Sequence, residues 1–387
     1  MPSPLRSWCV SLVCAAAVLA AAGPSRAGWT LSWLGHLDGD DSSIAEGLSA
    51  DGRVAVGYSI SGDYHIDYEP EAFRWTAGGG MTGLGFLPGH AWSEAHDASA
   101  DGSVVVGYSQ GAIGEHSHSD GEAFRWTEAT GPVGLGYLPG DTLSWAHGVS
   151  ADGAVVVGYS TDGSSPDTAF LWTEASGPTA LPCPPGGTWA RAEAVSADGA
   201  VVVGEWSSET AGMRAFRWTA AGGAVSLDAS PGGAMTFAYD LSADGSIVVG
   251  EGGNMRAARW TEAEGVVDIV SAAQDPDSSA ATAISQDGTF IVGHWRSVTP
   301  FLWDAANGAQ DFQQLLVADG VNFGQGHLQG AKGVSFDGTT LVIVGEGLDP
   351  DGVGLQTWMA SLVIPEPATL ALVALGGLGL CRRRPRK

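Results

Sequence analysis

Residues capable of chemistry recur at one place in this chain. Glu46, His96, His147, Glu193, Tyr239, Thr282 and Lys332 each follow a repeated alanine and stand three residues before a repeated serine. Carboxylates and imidazoles brought to one height in adjacent units could hold a cation or hydrogen-bond a sugar; as solvated strand ends they would do neither. Trp92, Trp145 and Trp189 precede the same segment in three consecutive units. Exposed, they would offer flat stacking faces to sugars; buried, they would fill gaps between units. His116 and His118 could bind a metal with Asp120 or Glu122, and the acidic run at Asp38 could take calcium. No cysteine or second histidine pair completes either set, so no metal ligand or cofactor is assigned and calcium is the weak exception. Nucleophile elbow, phosphate loop, zincin helix and dinucleotide fingerprint are all missing. Paired carboxylates for glycoside chemistry need only meet in space, so an enzyme stays open, although no catalytic residue can be named.

The elements that must position these residues are repeats. SADGRVAVG at Ser49 returns as SADGSVVVG at Ser99, SADGAVVVG at Ser150 and Ser196, SADGSIVVG at Ser242, SQDGTFIVG at Ser285 and SFDGTTLVIVG at Ser335. The copies lie 43 to 51 residues apart, the period of a propeller blade rather than of a helical repeat. Asp-Gly is a strong hairpin signal, and a two-residue type I′ turn is the simplest expectation for it. One carboxylate per copy, with neither a base nor an orienting partner, makes a poor catalytic or calcium loop, so SADG reads as scaffolding.

Each copy is followed by a second motif: EAFRWT at Glu71 and Glu122, AFLWT at Ala169, AFRWT at Ala215, AARWT at Ala257, PFLWD at Pro300 and a blurred TWMAS at Thr357. Its tryptophans, Trp75, Trp126, Trp172, Trp218, Trp260 and Trp303, read as the side chains that pack one sheet on the next. A third motif, clearest as GLGFLPG from Gly83 and GLGYLPG from Gly134, closes the unit. Taken as a whole, the repeat resembles the HAF family of extracellular repeat proteins, with glutamate where that family's signature has histidine. The resemblance spans nearly the whole chain between its two ends and implies an extracellular repeat protein, with no activity attached.

Four strands per unit and seven units predict an all-β, seven-bladed β-propeller over residues 28–363, with a β-solenoid as the alternative. The chain opens on a lone third-motif strand, WTLSWLGHL from Trp29, and ends on an unaccompanied second-motif strand, LQTWMASLV. The first would complete the last blade. SADG turns then share one face with the short turns after the second motif, and the variable connections, where function on repeat scaffolds usually resides, share the other.

Both ends carry addresses. Residues 1–27 combine an early Arg6, an apolar run and a Ser-Arg-Ala ending, which is a secretory signal peptide. Residues 364–387 hold the triplet Pro365, Glu366 and Pro367, an apolar run from Ala368 to Cys381, and a basic cluster beginning Arg382, Arg383 and Arg384. This resembles the PEP-CTERM sorting tail. The resemblance implies recognition and cleavage by an exosortase in the inner membrane of a Gram-negative bacterium, with brief anchoring by a transmembrane helix. The run is only 14 residues, roughly 21 Å of helix against the 30 Å of a bilayer core.

Without the two ends the net charge falls from −26 to near −32. Such a surface repels nucleic acid and anionic lipid. Cys183 is the one cysteine left, so no internal disulfide can form and stability must come from the core. The expectation is a secreted or surface-held binding protein associated with exopolysaccharide. A polysaccharide-cleaving enzyme at the variable face and a purely structural surface component are the competing readings.

Overall fold

The computed structural model describes residues 28–364 apart from 62–68, 112–120, 211, 228–232, 272–273, 275–277, 296–297 and 353. Seven four-stranded antiparallel sheets make seven blades, and six of them use four consecutive strands. The first runs Ser42–Leu48, Val54–Ser61, Glu69–Thr76 and Gly80–Gly83 from channel to rim. The seventh joins His327–Phe336, Thr340–Leu348 and Leu355–Val363 to the chain's own beginning, Thr30–Trp33. Thr30 pairs with Ser361 and Trp33 with Trp358, so strands more than 300 residues apart close the ring. The propeller expected from the repeats is therefore the fold, and the open solenoid is not.

The SADG turn differs in type from the expectation. Gly52 donates its N–H to the Ser49 carbonyl at 2.8 Å, and Gly52 has φ +70°. No Asp of these turns has positive φ; among described non-glycine residues only Met255 does. The turn is thus type I followed by a left-handed glycine rather than type I′. The reason lies in the side chains. With ordinary φ, the Asp51 carboxylate accepts from the Ser49 hydroxyl at 2.7 Å and from the Arg53 N–H at 3.0 Å, and Ser49 Oγ accepts from the Val54 N–H at 2.9 Å.

The turns also hold the blades to one another. The Ala100 N–H donates to Ala151, Ala151 to Ala197, and Ala197 to Ala243, at 3.0 to 3.1 Å, which makes a partial hoop around the channel. The arginine of the second motif adds a clamp: Arg74 Nε donates to the Gly102 carbonyl at 3.0 Å and Arg125 Nε to Gly153 at 3.1 Å, each on the following blade.

Two further expectations are adjusted. The tryptophans of the second motif do pack against the cores between blades, as expected, but only half-buried, and the fully buried aromatics of the motif are Phe73, Phe124, Phe170, Phe216 and Phe301. Trp126, for example, pairs one position from the hairpin end, where the blade meets solvent. Trp358 takes the phenylalanine place, opposite Gly345 as Phe73 is opposite Gly57, and is fully buried. The fourth strand is Gly80–Gly83, and the third motif that follows it is a connection burying Leu84 and Leu87 between blades. One short helix, Phe312–Ala318, is inserted before the last blade, capped by the Asp311 side chain accepting from the Gln314 N–H.

Candidate functional site

The recurrent polar position is a β-bulge. In the first blade Ala45 pairs with Gly57 and Gly47 with Val56, which leaves Glu46 as the extra residue. The same shift isolates His96, His147, Glu193, Tyr239, Thr282 and Lys332. Its cause is legible in the repeat. The glycine of VVVG lies under the bulge, and a Cβ on Gly57, Gly107 or Gly158 would collide with the carbonyl oxygen of Ile44, Glu94 or Trp145. The missing side chain lets the inner strand crowd inward and turn one residue per blade toward the axis.

All seven of these residues line one cavity of about 580 Å³ in the channel. Part of the ring is knit together. His147 Nδ1 lies 2.7 Å from Glu193 Oε2, and Lys332 Nζ lies 3.6 Å from Glu46 Oε2. His96 Nδ1 is 2.8 Å from the Ala146 carbonyl and its Nε2 is 3.7 Å from Glu94, while its ring meets His147 edge-on at 5.2 Å. Burial alone would lower the His96 pKa, yet the hydrogen bond and charge of Glu94, with the charge of Glu46, outweigh it and raise the value above the ordinary range. Lys332 behaves alike: burial opposes its charge, and Glu46 and Glu346 raise its pKa nonetheless.

Two carboxyls beside the ring have a structural task. Asp97 accepts from the Val149 N–H of the next blade at 2.9 Å, and Asp240 from Ile284 at 2.9 Å. Burial pushes each up to about 7 against those N–H donors.

The three tryptophans stand in a rib across blades two to four and do not line the cavity. Trp145 stacks on Tyr108 and on Tyr159, each at 4.7 Å, so its ring is taken up by protein. Trp92 meets Tyr108 edge-on at 5.6 Å. Trp189 has the Arg191 guanidinium 5.6 Å from its ring centre, and the same guanidinium lies 4.6 Å over Tyr159. Filling between blades is the arrangement Trp145 adopts.

His116, His118 and Asp120 lie outside the described residues. Glu122 instead accepts from the Gly136 N–H at 2.8 Å. Among the described residues no group of three or more His, Cys, Asp or Glu is placed to hold a metal ion. Pro365, Glu366, Pro367 and Arg382, Arg383 and Arg384 are likewise outside them, as is the run from Ala368 to Cys381. Among the described residues no helix is long and apolar enough to cross a membrane.

Sequence reasoning passed over Glu251 and His294, which also line the cavity. Each directly follows a repeated glycine, a position that reads Tyr, Tyr, Tyr, Glu, Glu, His, Glu through the seven copies. That polar variation inside an apolar strand was the available signal.

Residues 363–387 match the PEP-CTERM protein-sorting motif. The match points to processing by an exosortase and to export toward an extracellular or cell-surface location in a Gram-negative bacterium. No curated protein matches the chain in sequence. Among solved structures it is similar to the β-propeller domain of the Trilobed protease from Pyrococcus furiosus, described as having an open velcro topology, at 13% identity and TM-score 0.52. That alignment covers 82% of this chain and 95% of the other. An oligogalacturonate lyase in complex with manganese is similar at 12% identity and TM-score 0.51, over 88% of this chain and 95% of that one. TolB from Acinetobacter baumannii matches at 11% identity and TM-score 0.42, over 82% of this chain but only 65% of its own length. Identities this low show the propeller fold and nothing of activity.

Proposed function

We propose that this chain is an exported, exosortase-processed propeller that binds exopolysaccharide at the cell surface or in the surrounding matrix, using the channel, whose cavity is bordered by the SADG-turn alanines Ala50, Ala100, Ala151, Ala197 and Ala243. The observation that carries the reading is the ring of seven bulge residues around one cavity, where carboxyl, imidazole, hydroxyl and ammonium groups meet. Sugars are recognised through such alternating donors and acceptors. A strongly acidic surface disfavours nucleic acid and bare anionic lipid, which leaves glycan or protein as the partner. Kinship of the repeats with the HAF type belongs to this same reading.

The test is to mix the exported protein with the exopolysaccharide of its own source and assay co-sedimentation and new reducing or unsaturated ends together. Co-sedimentation without new ends is the expected result. New ends would make the protein an enzyme and direct attention to Glu193, Glu251 and the other channel carboxylates. A tube that shows neither co-sedimentation nor new ends would remove the polysaccharide reading.

A further inference from the structure

The channel is not equally closed on all sides. In each blade the residue after the repeated glycine pairs with an inner-strand residue and shares its face, so a large inner partner screens it from the axis. Tyr108 pairs with Glu94, Tyr159 with Trp145 and Glu205 with Arg191, and none of these three second-strand residues lines the cavity. In blade six the screen is gone: His294 pairs with Ala280, and Ala280 and His294 both line the cavity. Blade five departs from the rule: Glu251 pairs with the large Phe237, but the inner strand carries a second register shift between Met235 and Phe237, the Phe237 ring lies flat against Tyr239 at 5.7 Å, and Glu251 lines the cavity.

The same sector is the one left chemically unmatched. Glu46, His96, His147, Glu193 and Lys332 have ionic or hydrogen-bonding partners within the protein. Among the described residues the Tyr239 hydroxyl, the Glu251 carboxyl and the His294 imidazole have none. Polar groups that border an enclosed space without internal partners are placed to meet a ligand.

We infer that Tyr239, Glu251 and His294 form the ligand-contacting wall of the channel, and that this wall takes a neutral hexose unit through its hydroxyl groups. The inference rests on the glycan-binding reading above and specifies it. A hexose hydroxyl donates to Glu251 while neighbouring hydroxyls accept from Tyr239 and exchange hydrogen bonds with His294. A uronate would instead bring its carboxylate to a cavity already holding Glu46, Glu193 and Glu251. Burial, followed by the charge of Lys332, lowers the His294 pKa and keeps the ring neutral, and burial raises that of Glu251 above its ordinary value.

The experiment is isothermal titration of the exported protein with neutral hexose tetramers, tetragalacturonate and a glucosamine tetramer, beside sedimentation with the native exopolysaccharide. Tyr239→Phe, Glu251→Gln and His294→Ala are each expected to weaken neutral tetramer binding about tenfold, the effect of one lost polar contact. Unfolding temperatures should be unchanged, and Glu128→Ala, on an exposed turn, should bind as the parent does. Native polysaccharide that binds normally to all three variants would overturn the wall while leaving the glycan reading intact. Tighter binding of either charged tetramer, or of no tetramer at all, would overturn the neutral hexose. Loss of folding in His294→Ala would shift the decision to the isosteric Glu251→Gln and Tyr239→Phe.

Discussion

Replacing Gly107 by alanine isolates the contact that makes the bulge at His96. At an ordinary strand position with open space, Gly→Ala stabilises by about 0.4–1 kcal/mol, because the unfolded chain loses freedom. Gly107 has no such space: a Cβ there would overlap the Glu94 carbonyl oxygen and come within 2.9 Å of the Ala95 Cα. Relieving the overlap means pushing the inner strand toward the axis against its neighbours, an overpacking cost of about 1–3 kcal/mol. The balance is a net loss of about 1–2 kcal/mol, or a melting temperature lower by about 1.5–3 °C for a domain of this size, at roughly 2.1 cal/mol/K of unfolding entropy per residue. Gly78→Ala is the matched control, since Gly78 has ordinary φ and no heavy atom within 4 Å of the added methyl. Thermal unfolding of both variants beside the parent, followed by circular dichroism, reads the difference directly. A Gly107→Ala protein that melts at or above the parent, as the control should, would refute the account of why the ring residues face the channel.

Trp358→Ala should cost about 3–5 kcal/mol, because the side chain is fully buried and its Nε1–H donates to the Glu346 carbonyl at 2.7 Å. Trp126→Ala should cost less, its side chain being half-exposed, and urea unfolding that gave the reverse order would contradict the burial argument. Stability should also fall as pH rises from about 4 to 7. Asp97 and Asp240 hold their protons more tightly in the folded state, about 7 against an ordinary 3.8, so their contribution is present below 3.8 and lost as pH climbs through that window. Asp101, Asp152, Asp198 and Asp244 are lowered by the turn hydrogen bonds and act oppositely, losing their contribution as pH falls below the ordinary carboxylate range. Urea midpoints between pH 4 and 8 should therefore decline, with a shallower slope in Asp97→Asn; a rising profile would show that the two buried carboxyls do not dominate.

Much of the scaffold is local chemistry, and for that reason the sequence alone determined it. Ser-Ala-Asp-Gly closes its own turn, apolar and β-branched runs on either side make strands, and seven copies at a blade's spacing leave one strand short at the end and one spare at the start. A fixed offset from each serine was enough to place Glu46, His96, His147, Glu193, Tyr239, Thr282 and Lys332 in register around an axis. What only the tertiary structure decided depends on neighbours distant in the chain. Which aromatic is fully buried follows from the end of the hairpin at which Trp126 stands, and the stacking of Trp145 follows from Tyr108 on the blade before it. Asp97 acquires its role from a backbone N–H 52 residues away. His294 reaches the channel because the strand in front of it offers Ala280, where other blades offer glutamate, tryptophan or arginine. Repeated residues specify the blade, because each copy solves the same local problem; the site arises where copies differ and where their side chains meet across blades, which no single repeat encodes.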